Sequence, residues 1–86
     1  MMTHAAHSRP MLPLTMAAAG ETVELVEIRL VGQERRRLHE LGLLPGSSLR
    51  VVKSDPTQGM IVAVRHDGRL ALNRSTAHRL LVRLVG

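Results

Sequence analysis

The apolar positions of the chain recur at two periods, which predicts strands over most of its length and a helix over one segment. Between Thr22 and Leu30 the apolar residues alternate, but the alternation changes phase between Leu25 and Val26. Such a phase change is typical of a β-bulge or strong bend, and strongly bent strands build small barrels. Alternation also predicts strands at Ser48 to Lys53, Met60 to His66, Leu70 to Leu72 and Leu81 to Val85.

A helical period replaces the alternation between Gly32 and Leu41. Leu38 and Leu41 lie three residues apart and continue a stripe that begins at Val31, so we expect the helix to bury one narrow apolar face. Gly42 should end this helix, because glycine adopts positive φ without Cβ strain.

The residues after the helix predict a helix C-cap followed by a turn. Leu43 can fold back onto the last helical turn, as in a Schellman motif. Pro45 presets φ for the first central position of a turn, and Gly46 accepts the positive φ that a type II turn requires at the second.

The register of the next hairpin follows from the placement of its leucines. A two-residue loop at Asp67 and Gly68 would turn the large apolar residues of the second strand away from the core face. A three-residue loop, His66 to Gly68 with Gly68 in the left-handed position, keeps them on that face. This loop predicts that Val64 pairs with Leu70 and Val62 with Leu72.

The remaining segments predict short turns and an N-terminal extension. Leu14 to Gly20 resembles one helical turn with Thr15 as its N-cap, and Ser75 is a candidate cap for a turn that runs through His78. Residues 1–13 lack periodicity and contain two prolines, which predicts a flexible extension before a domain of residues 14–86.

About five short strands and one inserted α-helix predict a mainly β protein, a small antiparallel barrel. Periodicity alone leaves an SH3-like barrel and an OB-type barrel as alternatives. With 86 residues, the chain is long enough for one small core. The chain has no cysteine, so a disulfide or a thiolate metal site is excluded. It has no apolar run near the ~20 residues that span a bilayer, and its first residues do not read as a secretory signal.

The charge raises the question of a phosphate-bearing partner, although a genome rich in G and C would favour arginine whatever the function, and the composition limits the kind of partner. Twelve basic residues against seven acidic ones give a formal net charge of +5. A basic nucleic-acid-binding barrel is therefore the alternative function. Single-strand readers stack bases on aromatic rings, and this chain has no aromatic residue. The same lack of rings argues against a groove for proline-rich peptides.

The run from Arg37 to Val51, Arg-Leu-x-x-Leu-Gly-Leu-x-Pro-Gly-x-x-Leu-x-Val, resembles the signature of the FeoA family. The resemblance extends over roughly Leu14 to Val85. It implies an SH3-like barrel and a non-enzymatic accessory protein that binds the cytoplasmic side of FeoB, the GTPase-coupled ferrous iron transporter. The protein would then be cytoplasmic and recruited to the inner face of the membrane through this partner, with no specific nucleic acid as its ligand.

Within this resemblance, the helix and the turn after it are the candidate contact surface. The polar or exposed positions are the expected partner contacts, namely Arg35, Arg36, His39, Glu40 and Leu44. The apolar, glycine and proline positions of the motif, together with the hairpin glycine, are expected to be structural, namely Leu38, Leu41, Gly42, Leu43, Pro45, Gly46 and Gly68. Exposed apolar residues such as Leu44 also leave a homodimer open.

The residues do not require a cofactor, and no nucleophile and base are paired along the chain. Ser47 and Ser48 read as turn formers. His4 and His7 form His-x-x-His, and His39 lies beside Glu40. These histidines allow a weak divalent site for zinc or iron, although a structural zinc site prefers four ligands.

Overall fold

A computed structural model describes residues 10–64 and 68–85, in which six antiparallel strands form one strongly bent, SH3-like sheet. The spatial order of the strands is β1-β6-β2-β3-β4-β5. The elements in chain order are β1 (Leu12–Pro13), a 3₁₀ turn (Leu14–Met16), β2 (Thr22–Ile28), α1 (Gly32–Glu40), β3 (Ser48–Asp55), β4 (Gly59–Val64), β5 (Arg69–Leu72), α2 (Arg74–His78) and β6 (Leu80–Leu84).

The core is entirely aliphatic apart from one methionine, as a chain without aromatic residues requires. Every strand except β1 supplies at least one buried side chain, and no polar side chain is buried among the described residues. The largest fully buried side chains are Leu14, Leu25, Leu43, Leu49, Leu80, Val23, Val51, Val62 and Val82. Neither helix in the described part of the chain is long and apolar enough to cross a membrane.

The predicted bulge in β2 is confirmed. The pairing of β2 with β6 shifts register between Leu25 and Glu27, so Leu25 and Ile28 both face the core although they are three residues apart. β2 also pairs with β3 through Thr22 to Glu24. The bulge therefore bends the strand that joins the two halves of the sheet.

The hairpin between β4 and β5 has a different register from the predicted one. Val62 pairs with Leu70 and Met60 with Leu72, whereas the prediction paired Val64 with Leu70. The error is a slip of two residues, which leaves every side chain on the same face and is therefore invisible to hydrophobic patterning. Gly68 has the expected positive φ of 85°. His66 and Asp67 lie outside the described residues.

Two predicted caps are wrong. Asn73, not Ser75, caps α2: its Oδ1 accepts a hydrogen bond from the Thr76 N–H at 2.8 Å. Asparagine is an equally good cap, and β5 ends directly before it. The 3₁₀ turn begins after Pro13 and has no side-chain cap, so Thr15 lies within the turn.

The sheet also takes in the end of the predicted N-terminal extension. Leu12 pairs with Val82 and Pro13 with Leu81, so these two residues form the edge strand β1. A proline is compatible with this position because an edge strand leaves one side of its backbone unpaired. Residues 1–9 of the predicted extension lie outside the described residues.

Gly59 begins β4 where the chain passes very close to the end of β5. Its φ is +122°, and a Cβ there would overlap the Leu72 carbonyl oxygen and lie 3.0 Å from the Asn73 Cα. Gly42 also has positive φ, +94°, but its Cβ would meet only a Val64 methyl at 3.8 Å. The two glycines therefore share a backbone requirement but differ in free space.

Replacing each glycine by alanine should separate these effects. Gly42→Ala should lower the free energy of unfolding by about 1 kcal/mol, the cost of left-handed backbone for an L-residue. Gly59→Ala should cost roughly 3 kcal/mol or more, because backbone atoms must also move apart. Chemical denaturation of both variants provides the comparison. Equal losses would contradict the close approach of β4 and β5.

Asp55 closes the β3–β4 connection by accepting three hydrogen bonds. Its Oδ1 accepts from Thr57 Oγ1 at 2.7 Å, from the Thr57 N–H at 2.8 Å and from the Gln58 N–H at 3.1 Å. These bonds favour the charged carboxylate, so they lower the pKa of Asp55, with the Thr57 hydroxyl as the largest cause.

Thr57→Val should raise the pKa of Asp55 towards its ordinary value, because it removes the hydroxyl and retains the shape. A lowered folded-state pKa adds stability above the unfolded-state pKa, and that stability is lost as the pH falls through the folded-state pKa. The variant should therefore lose less stability on acidification. NMR titration of the Asp55 carboxyl tests this, and Gln58→Ala, which retains its N–H, is the control. An Asp55 pKa that is the same in the Thr57→Val variant and in the unsubstituted chain would contradict the assignment.

Candidate partner-binding surface

Helix α1 is attached to the barrel by a single well-buried side chain. Among its nine residues, Leu38 is buried, with 5% exposed, and His39 is half-buried. The other seven residues are exposed. The helix therefore adds little to the core and presents most of its surface to solvent.

The predicted apolar stripe through Val31, Leu38 and Leu41 is wrong at both ends. Val31 is 81% exposed and Leu41 is 42% exposed. Both are cap residues: Val31 has extended backbone before the helix, and Leu41 follows its last residue. Helical spacing therefore does not determine where these two side chains point, and both are available for contact.

The end of α1 forms the predicted Schellman motif. The Leu43 N–H donates to the Leu38 carbonyl at 2.9 Å, and the Gly42 N–H donates to the His39 carbonyl at 3.0 Å. Leu43 and Leu38 are both buried in the core cluster, as the hydrophobic contact of this motif requires. The last helical turn is consequently fixed to the barrel core.

The turn after α1 is held to the bulged strand by backbone hydrogen bonds. The Ser47 N–H donates to the Leu44 carbonyl at 2.8 Å, as the predicted Pro45–Gly46 turn requires. The Gly46 N–H then donates to the Leu25 carbonyl at 2.7 Å, and the Leu25 N–H donates to the Ser47 carbonyl at 2.8 Å. The turn therefore joins β2 at its bulge.

Ser47 stabilises the same turn through its side chain. Its hydroxyl accepts from the Leu44 N–H at 3.0 Å and donates to the Gly42 carbonyl at 3.2 Å. Both bonds are local, as expected for a turn-forming serine. The hydroxyl has no base beside it among these contacts.

The five predicted partner contacts occupy different environments. Arg35, Arg36 and Glu40 are exposed on α1, and Leu44 is 46% exposed on the turn. Arg36 and Glu40 line one shallow groove, but they form no ion pair within the described residues. We call the exposed set Arg35, Arg36, Glu40, Leu41 and Leu44 the helix–turn surface.

His39 does not lie on this surface as freely as the sequence suggests. It is half-buried, and its Nε2 is buried without a hydrogen-bond partner. That nitrogen is turned away from solvent, so it is not presented to a partner or to a metal ion. His4 and His7 lie outside the described residues, and no three potential metal ligands cluster within the described ones.

A cleft beside α1 adds residues that the sequence reasoning did not select. Its volume is about 270 Å³, and it separates α1 from β5 and α2. Glu34, Arg37, Leu38 and Leu41 supply the helix side. The i, i+3, i+4 spacing of Glu34, Arg37 and Leu38 is the signal that identifies one helical face. The other lining residues are Leu30, Leu70, Ala71, Leu72, Asn73 and Thr76.

The fold is that of a small SH3-like barrel with one helix largely exposed to solvent. The FeoA domain model matches residues 12–84, so the chain belongs to the FeoA family. This membership implies a role in ferrous iron transport. No curated protein sequence matches the chain.

Solved structures give the same picture. The crystal structure of an iron uptake regulatory protein (FeoA) is 29% identical, with 88% of this chain and 99% of that chain covered at a TM-score of 0.77. The FeoA protein from Chlorobium tepidum is 26% identical, with 87% and 71% covered at a TM-score of 0.79. A manganese-dependent transcriptional repressor is 23% identical, with 90% of this chain but 43% of that chain covered, at a TM-score of 0.79. That last likeness extends to the fold alone.

Leu38→Ala should weaken the attachment of α1 to the barrel. We expect a loss of about 2–4 kcal/mol in the free energy of unfolding, because the side chain is buried and leaves a cavity. Leu41→Ala is the matched control, since the same deletion at a half-exposed position should cost roughly 1 kcal/mol or less. Urea denaturation of both variants tests this. Similar small losses would mean that Leu38 does not anchor the helix.

Proposed function

We propose that this chain is a non-enzymatic accessory protein that binds the cytoplasmic side of FeoB and supports ferrous iron uptake. The observation that carries the proposal is the exposure of α1: a helix that buries only Leu38 is poorly explained by a role in the core. The exposed helix and the exposed leucines that follow it, Leu41 and Leu44, are properties of a docking surface.

The helix–turn surface has the composition of a protein contact. Leu41 and Leu44 supply exposed apolar area, and Arg36 and Glu40 supply exposed polar groups on the preceding helix. Interfaces commonly combine an apolar centre with a polar rim. The Schellman motif and the turn already order this segment, so binding loses less conformational entropy than it would with a flexible loop.

In this proposal, GTP hydrolysis is carried out by the partner and not by this chain. FeoB carries the GTPase domain, and this chain would act by contact on its assembly or its nucleotide cycle. The proposed location is the cytoplasm, at the inner membrane face, through this contact. The net charge of +5 favours it, because anionic lipids attract basic domains over about a Debye length.

The nucleic-acid alternative is not favoured by the arrangement of the three consecutive arginines of α1. Arg36 and Arg37 line the groove that contains Glu40, and Arg37 also lines the cleft beside β5. Successive helical residues are about 100° apart, so Arg35, Arg36 and Arg37 do not form one basic stripe. A phosphate backbone would meet mixed charge on this helix.

Titration calorimetry of the full chain into the cytoplasmic domain of FeoB, with and without GTP, tests the proposal. We expect saturable binding that Leu41→Ser/Leu44→Ser weakens about tenfold or more through loss of apolar contact area. Stability should change little, because both side chains are partly exposed. Val85→Ser, which alters an exposed apolar residue outside the surface, should retain full affinity.

Two results would contradict the proposal. Absence of binding in every nucleotide state would remove FeoB's cytoplasmic domain as the partner, and equal weakening by the control would remove the helix–turn surface. Homodimer formation through Leu44 stays a prediction, which sedimentation of the free chain at the titration concentrations tests.

A further inference from the structure

A second surface lies where β2 ends and β6 begins. Several basic residues are grouped there. A shallow depression there is lined by Pro13, Arg29, Arg74, Ser75, His78, Arg79 and Leu81. We call the four basic residues Arg29, Arg74, His78 and Arg79, all exposed, the arginine depression. It shares no residue with the helix–turn surface or with the cleft beside α1.

Two of its arginines lie directly opposite each other. β2 and β6 pair Ile28 with Leu80, and the next step of that register places Arg29 across from Arg79. The Arg29 N–H donates to the Arg79 carbonyl at 2.9 Å, which confirms the opposition. Both side chains line the same depression, where like charges close to each other repel.

Helix α2 adds two more basic groups to the same depression. Arg74 and His78 are four residues apart in α2, so they share one helical face. His78 Nδ1 lies 3.4 Å from Thr15 Oγ1, which locates its ring against the 3₁₀ turn. The Ser75 hydroxyl is a further hydrogen-bond donor in the lining. Donors from α2, from the residue after β2 and from the residue before β6 therefore line one depression.

The positive charge is only partly balanced within the described residues. None of the lining residues is acidic. Glu27 Oε2 accepts from Arg29 Nε at 3.2 Å, in a pair whose side chains are 60% and 47% exposed for Arg29 and Glu27. No described ion pair engages Arg74 or Arg79. The fold thus holds cations together against their repulsion and leaves their donors available to an external anion.

We propose that the arginine depression binds a phosphoryl group. One carboxylate satisfies one guanidinium fork, whereas a tetrahedral phosphate offers several oxygens and more charge to donors arriving from different sides. The same chemistry is presented by the headgroup of an anionic lipid and by a free phosphate compound. The site is independent of the proposed FeoB contact, since it uses other residues.

Two binding measurements on the full chain distinguish these sources. In the first, inorganic phosphate is titrated into the ¹⁵N-labelled chain at constant ionic strength, with sodium chloride as the reference anion. In the second, the chain is sedimented with vesicles of phosphatidylglycerol and phosphatidylcholine or of phosphatidylcholine alone. Saturable shifts at Arg29, Arg74, His78 and Arg79 support a site for free phosphate compounds, and cosedimentation only with the anionic vesicles supports a lipid headgroup.

A matched pair of variants tests whether the cluster, rather than net charge, is responsible. Arg74→Gln/Arg79→Gln should weaken either interaction about tenfold or more, since each basic residue near an anionic surface contributes measurably. Arg50→Gln/Lys53→Gln removes the same charge from exposed positions on β3 and should have an effect of about twofold or less. Arg29→Gln is a second test within the depression. Absence of both interactions, or equal losses in the two double variants, would overturn the assignment.

Discussion

The two hydrogen bonds that Leu25 exchanges with the Pro45–Gly46 turn determine where α1 stands on the barrel. Leu25 lies at the bulge of β2, where its N–H donates to Ser47 and its carbonyl accepts from Gly46. Without the bulge, β2 could not hydrogen-bond to both β6 and this turn and still place both Leu25 and Ile28 in the core. The bend of one strand thus positions an otherwise weakly attached helix.

This arrangement separates the parts that stabilise the barrel from the surface proposed for partner binding. An aliphatic core and the close approach of β4 to β5 stabilise the barrel, while α1 contributes one buried leucine and a largely exposed surface. A helix so polar gains little from its own hydrophobic face, and its order depends on tertiary attachment. Substitutions on its exposed side can therefore alter binding with little effect on folding.

Features that depend on neighbouring residues could be predicted from the sequence. Features that depend on contacts between distant segments could not. The helix end at Gly42 and the bulge follow from neighbouring residues, and both are confirmed. The hairpin register was missed because Val62 opposite Leu70 preserves the same faces as the predicted pairing. The exposure of Val31 and Leu41 was missed because cap residues leave the helical period. The clefts were missed because distant segments form them.

Amide hydrogen exchange of the chain, free and bound to the cytoplasmic domain of FeoB, tests the central claim most directly. In the free chain, the amides of Gly42, Leu43 and Gly46 should exchange as slowly as those of the central strands, because they are bonded to the barrel. On binding, new protection should appear in α1, from Arg35 to Glu40. Fast exchange of the three turn amides, or protection confined to other surfaces, would contradict a rigidly mounted docking helix.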